Sequence, residues 1–247
     1  MPRFFVSKEN INEEERIISI LGEDAFHIAR SLRMAVGDGL TVCDGEGRDY
    51  DCTLTKIRDS EVNCEILNVI DCPAEPPYKA TVYQALVKGE RLDVAIQKSV
   101  EFGASAIVPF ESSRCIVRMK GEKEGSKSQR RRRIAAEAAK QCGRGILPEV
   151  KETVSFEEMI RLALESELRL FCYEGDGTVA HPELLKEKPE TIGFLIGPEG
   201  DFSPREIEAA RAAGFVEVTL GNERLRTETA ALATAMIAQV KNTLATK

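Results

Sequence analysis

Apolar side chains come in short bursts along the first 70 residues. Arg3-Phe4-Phe5-Val6, Leu40–Cys43, Tyr50–Ile57 and Val62–Leu67 read as strands, split by Asp44-Gly45-Glu46-Gly47 and Asp59-Ser60. Between the first two strands the spacing changes. Gly22 to Met34 reads as a helix, with Phe26, Ala29 and Leu32 on one side, and Gly37-Asp38-Gly39 breaks it. The pattern predicts a small barrel-like β domain with one helix. Asp71-Cys72-Pro73-Ala74-Glu75-Pro76-Pro77 follows, and its prolines fit neither a helix interior nor a central strand. The domain boundary is placed there, giving residues 1–72 and 73–247.

Beyond the linker, strand and helix alternate. Thr81–Leu86, Ala106–Phe110, Leu168–Tyr173, Ile192–Ile196 and Phe215–Leu220 are apolar runs of strand length. Arg91–Phe102 carries Leu92, Ile96 and Val100 on one helical face, and Gly103 suits the position just past the helix end. Gln129–Cys142, Phe156–Glu165 and Thr227–Leu244 also read as helices. Ser203-Pro204-Arg205-Glu206 is a capping box with proline at the first helical position, opening a helix that stops at Gly214. Gly121–Ser128 is the most loop-like segment, and there is no internal repeat. Such alternation implies an α/β fold around a parallel sheet.

Composition narrows the class. The chain has 247 residues with 43% hydrophobic and 30% charged, ordinary for a globular protein. Its apolar runs are far shorter than the roughly 20 residues of a membrane helix. The start, Met1-Pro2-Arg3-Phe4-Phe5, shows no apolar signal region, so a cytoplasmic location is expected. Seven cysteines without a C-x-x-C pair, and two histidines, suggest neither a disulfide framework nor a metal site. Charge adds more. Net charge is −7, yet Ser113 to Val150 holds 11 Lys/Arg against four Glu, while residues 1–72 hold eight Lys/Arg against 15 Asp/Glu. A basic stretch in an acidic chain points to a polyanion contact or to a solvated helix face.

Three segments are candidates for chemistry. Gly121-Glu122-Lys123-Glu124-Gly125-Ser126-Lys127-Ser128 nearly spells a phosphate-binding loop, but Ser126 replaces its second glycine and no buried strand feeds it. Nucleotide hydrolysis is therefore not expected. Ile196-Gly197-Pro198-Glu199-Gly200-Asp201 leaves a buried strand and precedes a capped helix, where open α/β sheets bind ligands. Leu220 to Thr229 does the same one strand later. Either loop alone could be a plain strand–helix turn. Glu199, Arg226 and Glu228 beside buried strands call for partners.

With these loops stand Gln84-Ala85-Leu86-Val87-Lys88-Gly89-Glu90-Arg91, Ile96-Gln97-Lys98-Ser99-Val100-Glu101-Phe102-Gly103 and Glu137-Ala138-Ala139-Lys140-Gln141-Cys142-Gly143-Arg144. Together with Gly197-Pro198-Glu199-Gly200 and Leu225-Arg226-Thr227-Glu228-Thr229-Ala230, in this order, they resemble the RsmE family of ribosomal RNA methyltransferases. The resemblance covers nearly the whole chain. It implies the SPOUT superfamily, whose C-terminal α/β domain binds S-adenosyl-L-methionine in a trefoil knot. It also implies an N-terminal PUA-like β-barrel. The implied activity is methylation of N3 of one uridine in small-subunit (16S) ribosomal RNA during ribosome biogenesis, by a homodimer without a metal. A SPOUT methyltransferase with another RNA target, or a non-catalytic ribosome-assembly RNA-binding protein, are the alternatives.

The resemblance implies a cofactor site in three loops: Tyr173 and Glu174; Ile196, Gly197, Pro198, Glu199 and Gly200; and Leu220, Gly221, Leu225 and Arg226. Arg226 is the implied anion stabiliser, and Glu199 or Glu228 the implied proton acceptor. The family usually has a second glycine where Asp201 stands, and an arginine and an apolar residue at Glu223 and Arg224. RNA-binding candidates are Arg3, Arg114, Arg118, Arg130, Arg131, Arg132, Arg133 and Arg144, with Lys88 and Arg91 near the first α/β turn. His27, Arg30 and Arg33, three apart on the N-terminal helix, share a broad face like the family's own His/Arg pattern there. Four consecutive arginines spread around a helix start, so not all four can face one surface.

Overall fold

A computed structural model describes residues 1–118, 124–173, 179–180, 189–221 and 225–244. They form two compact units: Met1–Glu75 with Ala139–Leu147, and Pro76–Ala138 with Pro148–Lys247.

The first unit is a six-stranded mixed sheet. Its strands are β1 (Arg3–Phe5), β2 (Ile11–Asn12), β3 (Ile17–Leu21), β4 (Gly39–Cys43), β5 (Arg48–Ile57) and β6 (Glu61–Asp71), in spatial order β1-β4-β5-β6-β3-β2. Only β1 and β4 pair in parallel. Alternation in β5 and β6 sends Tyr50, Cys52, Leu54, Val62, Cys64 and Ile66 into the core with Phe4, Ile18, Ile20, Leu40 and Val42. Two of these strands escape the sequence reading. Ile11–Asn12 is too short for a pattern, and Ile17–Leu21 (IISIL) is apolar on both faces, leaving Ile17 and Leu21 exposed. The expected helix begins as α1 (Gly22–Phe26) and continues as a π-helical turn over His27–Ser31. Arg33 then takes a left-handed backbone, φ 51°.

The second unit is a parallel sheet. Its strands are β7 (Lys79–Ala85), β8 (Ala104–Glu111), β9 (Glu149–Val150), β10 (Val154–Ser155), β11 (Leu168–Cys172), β12 (Val179–Ala180), β13 (Thr191–Ile196) and β14 (Val216–Thr219). The main order is β10-β8-β7-β13-β11-β14-β12, with β9 alongside β8, and every pairing among the described residues is parallel. The helices are α2 (Arg91–Glu101), α3 (Glu124–Cys142, whose last four residues belong to the first unit), α4 (Phe156–Ala163), α5 (Pro204–Ala212) and α6 (Thr227–Leu244). The core is Val82, Leu170, Ile192, Phe194 and Ile196 from the strands with Ala231 and Ala238 from α6. Gly103 ends α2 at φ 91°, and Ser203 and Glu206 make both bonds of the capping box on α5. One expectation is corrected. Glu124–Ser128, read as loop, is the first part of α3. Gly125, Ser126 and Ser128 are weak helix formers, and the Ser128 hydroxyl, bonded to Glu152, ties this stretch to the rest of the unit.

Candidate active site and nucleic-acid interface

Strand order places the candidate loops. The chain runs from β7 outward to β8, and returns on the far side, so β13 lies between β7 and β11. In open α/β sheets such a reversal is where ligands bind, at the carboxyl edge of the strands. The ends of β13, β11 and β14 lie side by side there, so Gly197–Gly200, Tyr173 and Leu220–Gly221 leave one edge. Leu225 and Arg226 lead from it into α6. Glu174, Glu223 and Arg224 lie outside the described residues.

The Gly197–Gly200 loop is held from below. A Cβ at Gly197 would stand 2.6 Å from the ring of Phe202, so any side chain there displaces a buried aromatic. Phe202 belongs to a cluster with Phe110, Phe156 and Phe171; its ring meets Phe171 edge-on at 4.8 Å. Tyr173 stacks on the other side of Phe171, at 5.2 Å and 17°. Gly200 lies against the Arg114 backbone, whose oxygen a Cβ would approach to 3.1 Å. Asp201, where the family usually has glycine, adopts φ 61°, and its Oδ1 accepts the Phe202 N–H at 2.8 Å. Aspartate is among the few side chains that tolerate this conformation, so the departure keeps the turn.

Polar ties complete the frame. Glu199 Oε1 accepts from Arg91 Nη1 at 2.9 Å and from the Lys88 N–H at 3.3 Å. Thr227 donates its hydroxyl to the Gly197 carbonyl at 2.6 Å and accepts from Gln84 Nε2 at 2.8 Å. Glu206 also accepts from the Ser113 N–H and hydroxyl, both at 2.7 Å, which ties the loop after β8 to α5. Burial pushes the Glu206 carboxyl up, but bonds from Ser113 and Ser203 outweigh it and hold it below the ordinary range. Burial likewise pushes the Cys172 thiol up to about 12, against the opposing bond with Thr234. That thiol is a packing group, not a nucleophile.

The remaining site residues divide by exposure. Ile196 and Pro198 are buried supports, Leu220 is half-buried, and Leu225 is 39% exposed. Gly221 has φ 143°, with its N–H and carbonyl both bonded to the Thr219 hydroxyl. Arg226 is exposed and has no ion-pair partner among the described residues. Glu228 Oε2 is buried and likewise unpartnered among the described residues.

Three of the RNA-contact candidates are engaged by the framework of the fold. Arg3 makes a two-pronged pair with Asp49, both bonds 2.8 Å, and donates to Cys43 Sγ. Arg144, 3% exposed, pairs with Glu75 through Nε at 2.8 Å. Arg131, 6% exposed, donates to Thr153 at 2.9 Å. Burying an unpaired guanidinium would be prohibitive, so each is matched. The others face outward. Arg30 pairs with Asp59, Arg91 with Glu199, Arg118 with Glu111, Arg130 with Asp93 and Arg132 with Glu152. Arg114 Nη1 donates to the Gly200 carbonyl at 3.3 Å. His27, Arg33, Lys88 and Arg133 are exposed, with the His27 ring 6.4 Å from that of Phe4. The sequence reading missed Gln84, Ser113, Glu206 and Thr227 as site residues. Gln84 carried a signal as a polar side chain inside an apolar strand, Glu206 as part of the capping box and Thr227 as part of an ordered motif.

Comparisons with known proteins agree with this geometry. Residues 74–239 match the RNA methyltransferase domain, and residues 20–67 match the RNA methyltransferase PUA domain. The chain belongs to the RNA methyltransferase family of ribosomal RNA small subunit methyltransferase E. Ribosomal RNA small subunit methyltransferase E of Bacillus subtilis is 32% identical over 240 residues, 94% of this chain and 93% of that one. The Aquifex aeolicus methyltransferase E is 33% identical over 75% of this chain and 78% of its own length. The crystal structure of methyltransferase E from Neisseria gonorrhoeae, bound to S-adenosyl methionine, superposes with a TM-score of 0.81. It is 30% identical and covers 97% of both chains. The fold is thus that of a SPOUT methyltransferase with a PUA-like domain, as the resemblance implied. No helix among the described residues is long and apolar enough to cross a membrane, and no cluster of three or more metal-ligating side chains occurs among them.

Proposed function

We propose that this protein methylates N3 of a specific uridine in 16S ribosomal RNA, using S-adenosyl-L-methionine, as a cytoplasmic homodimer. The observation that carries this reading is the convergence of three glycine- and apolar-lined loops on one edge of the parallel sheet. The residues present suit the cofactor. Backbone at Gly197, Gly200 and Gly221 offers close approach, and Leu220, Leu225 and Tyr173 offer apolar surface for a flat ring. When bound, S-adenosylmethionine supplies a methyl group already activated on a sulfonium. The protein's part is to hold the uridine base in line and to manage its N3 proton.

Arg226, exposed at the entry to α6, stabilises the anion that develops as the proton leaves. Glu199 has a different task, since its Oε1 already holds Arg91 and the Lys88 N–H. Glu228 Oε2 is buried without a partner among the described residues, and the proton-accepting role falls to it. Lys88, Arg114, Arg118, Arg130, Arg132 and Arg133, with His27, Arg30 and Arg33, are the proposed RNA contacts. The paired ones exchange a surface carboxylate for phosphate, which is inexpensive for exposed pairs.

The test uses labelled S-adenosylmethionine and small ribosomal subunits from cells lacking the enzyme. Label in 3-methyluridine at one site, read by mass spectrometry of digested rRNA, is the expected result. Label in another nucleoside overturns the substrate and keeps the chemistry. A light-scattering mass of one chain rather than two would remove the dimer.

A further inference from the structure

A single hydroxyl joins the two proposed cofactor loops. Thr227 Oγ1 lies 2.6 Å from the Gly197 carbonyl and 2.8 Å from Gln84 Nε2. Gln84 is fully buried at the carboxyl end of β7, in register with Ile196 of β13 and Pro109 of β8. Gly197 opens the loop after β13, and Thr227 directly follows Leu225 and Arg226.

Proton bookkeeping makes this arrangement directional. A threonine hydroxyl has one proton, and a carbonyl oxygen only accepts. The Thr227 proton therefore points to Gly197, and its oxygen must receive a proton from the third partner. That fixes the Gln84 amide with Nε2, not Oε1, toward Thr227. The second Nε2 proton goes to the Ala85 carbonyl at 3.2 Å, and Oε1 is left buried without a partner among the described residues. Leaving a buried amide oxygen unpaired has a free-energy cost, so the relay is held in place by what it positions or by packing alone.

We infer that Gln84 and Thr227 are positioning residues that lock the Gly197–Gly200 loop against Leu225 and Arg226, and so set the geometry of the cofactor site. The inference rests on the proposed S-adenosylmethionine site. Neither side chain needs to touch the ligand. Thr227 fixes where α6 begins, and Gln84 fixes Thr227 from the centre of the sheet. Thr227→Val keeps the shape but removes both bonds, leaving the Gly197 carbonyl without its hydroxyl donor and Gln84 Nε2 with the Ala85 carbonyl alone. Serine keeps both. Methionine at 84 removes one and leaves the Thr227–Gly197 bond in place.

The experiment compares full-length wild type, Thr227→Val, Thr227→Ser and Gln84→Met in two measurements. Amide hydrogen exchange without ligand reads the lock itself. Exchange should rise across residues 197–201 and 225–228 in Thr227→Val, rise less in Gln84→Met, and stay at the wild-type level in Thr227→Ser. Calorimetric titration with S-adenosylmethionine reads the consequence. Loss of two buried hydrogen bonds predicts a Kd raised about tenfold in Thr227→Val, and within about twofold of wild type in Thr227→Ser. Gln84→Met carries both readouts should Thr227→Val fail to fold. Unchanged exchange and affinity in Thr227→Val and Gln84→Met overturn the inference. So does an equal loss in Thr227→Ser and Thr227→Val, which would assign the effect to the methyl group's packing. A wild type that does not bind S-adenosylmethionine overturns the proposed function, whatever the exchange pattern shows.

Discussion

In the first unit Arg3 and Arg144 are folded inward against Asp49 and Glu75. In the second, Arg133 and Arg226 stand in solvent without an ion-pair partner among the described residues. The side chain is the same, and the formal charge is the same. What differs is the supply of carboxylates within reach. Glu75 comes from the linker and Asp49 from β5, and both meet their arginines only after folding. In the second unit Glu199 holds Arg91, and Glu228 Oε2 is buried without a partner among the described residues. A local excess of positive charge along the chain therefore does not report which cations are available. The inward pairs stabilise a fold, and the outward cations are what a polyanion can use.

The largest effect should come from breaking an inward pair. Arg144→Ala strands Glu75, whose Oε1 also accepts from the Gly145 and Ile146 N–H groups, and should destabilise the fold by about 3–5 kcal/mol. Chemical denaturation measures it; a loss near zero would mean that water replaces the guanidinium. Arg226→Ala should leave stability alone and lower kcat about 10²–10³-fold, the scale for losing one transition-state donor. Full methylation by that variant would strip Arg226 of its role.

The next contrast lies within the arginine run. Arg133→Ala should weaken rRNA binding and flatten its salt dependence by about one unit of slope. Arg131→Ala should keep the salt slope and lower the melting temperature, because its guanidinium is buried against Thr153. The reverse pattern would exchange their assignments.

A smaller effect tests the tie between α5 and the loop after β8. The folded Glu206 carboxyl lies below its ordinary value of 4.5, so its contribution is complete above that pH. The contribution is lost as pH falls through the depressed folded value. Glu206→Gln should thus be less stable than wild type near neutrality and close the gap on acidification below 4.5. A constant gap would locate the effect in shape, not charge. Smallest of all, Lys8→Ala at the exposed Lys8–Glu46 pair should leave the melting temperature unchanged.

Much of the site was legible before any coordinates. A buried strand running into Gly197-Pro198-Glu199-Gly200, followed by a capping box, locates the turn of the proposed cofactor site from local rules. The ordered motifs added the family and its cofactor, which periodicity alone does not encode. The short strands Ile11–Asn12, Glu149–Val150 and Val154–Ser155 left no trace, because two residues cannot display a period. Residues 139–147 gave no sign in the sequence that they join the first unit. Arg144, Gly145 and Ile146 do so by sharing Glu75, a contact across some 70 positions of chain.

What the sequence determined by itself is therefore local or cumulative: strand and helix periods, the cap at Ser203, the α/β alternation and the ordered family motifs. Each depends on side chains a few positions apart, or on a pattern summed along the chain. Tertiary structure alone decided which arginines are hidden, which carboxylates hold them, and which hydroxyl joins Gln84 to Gly197. Those outcomes depend on partners brought together from distant positions, and burial then sets the value of each partnership.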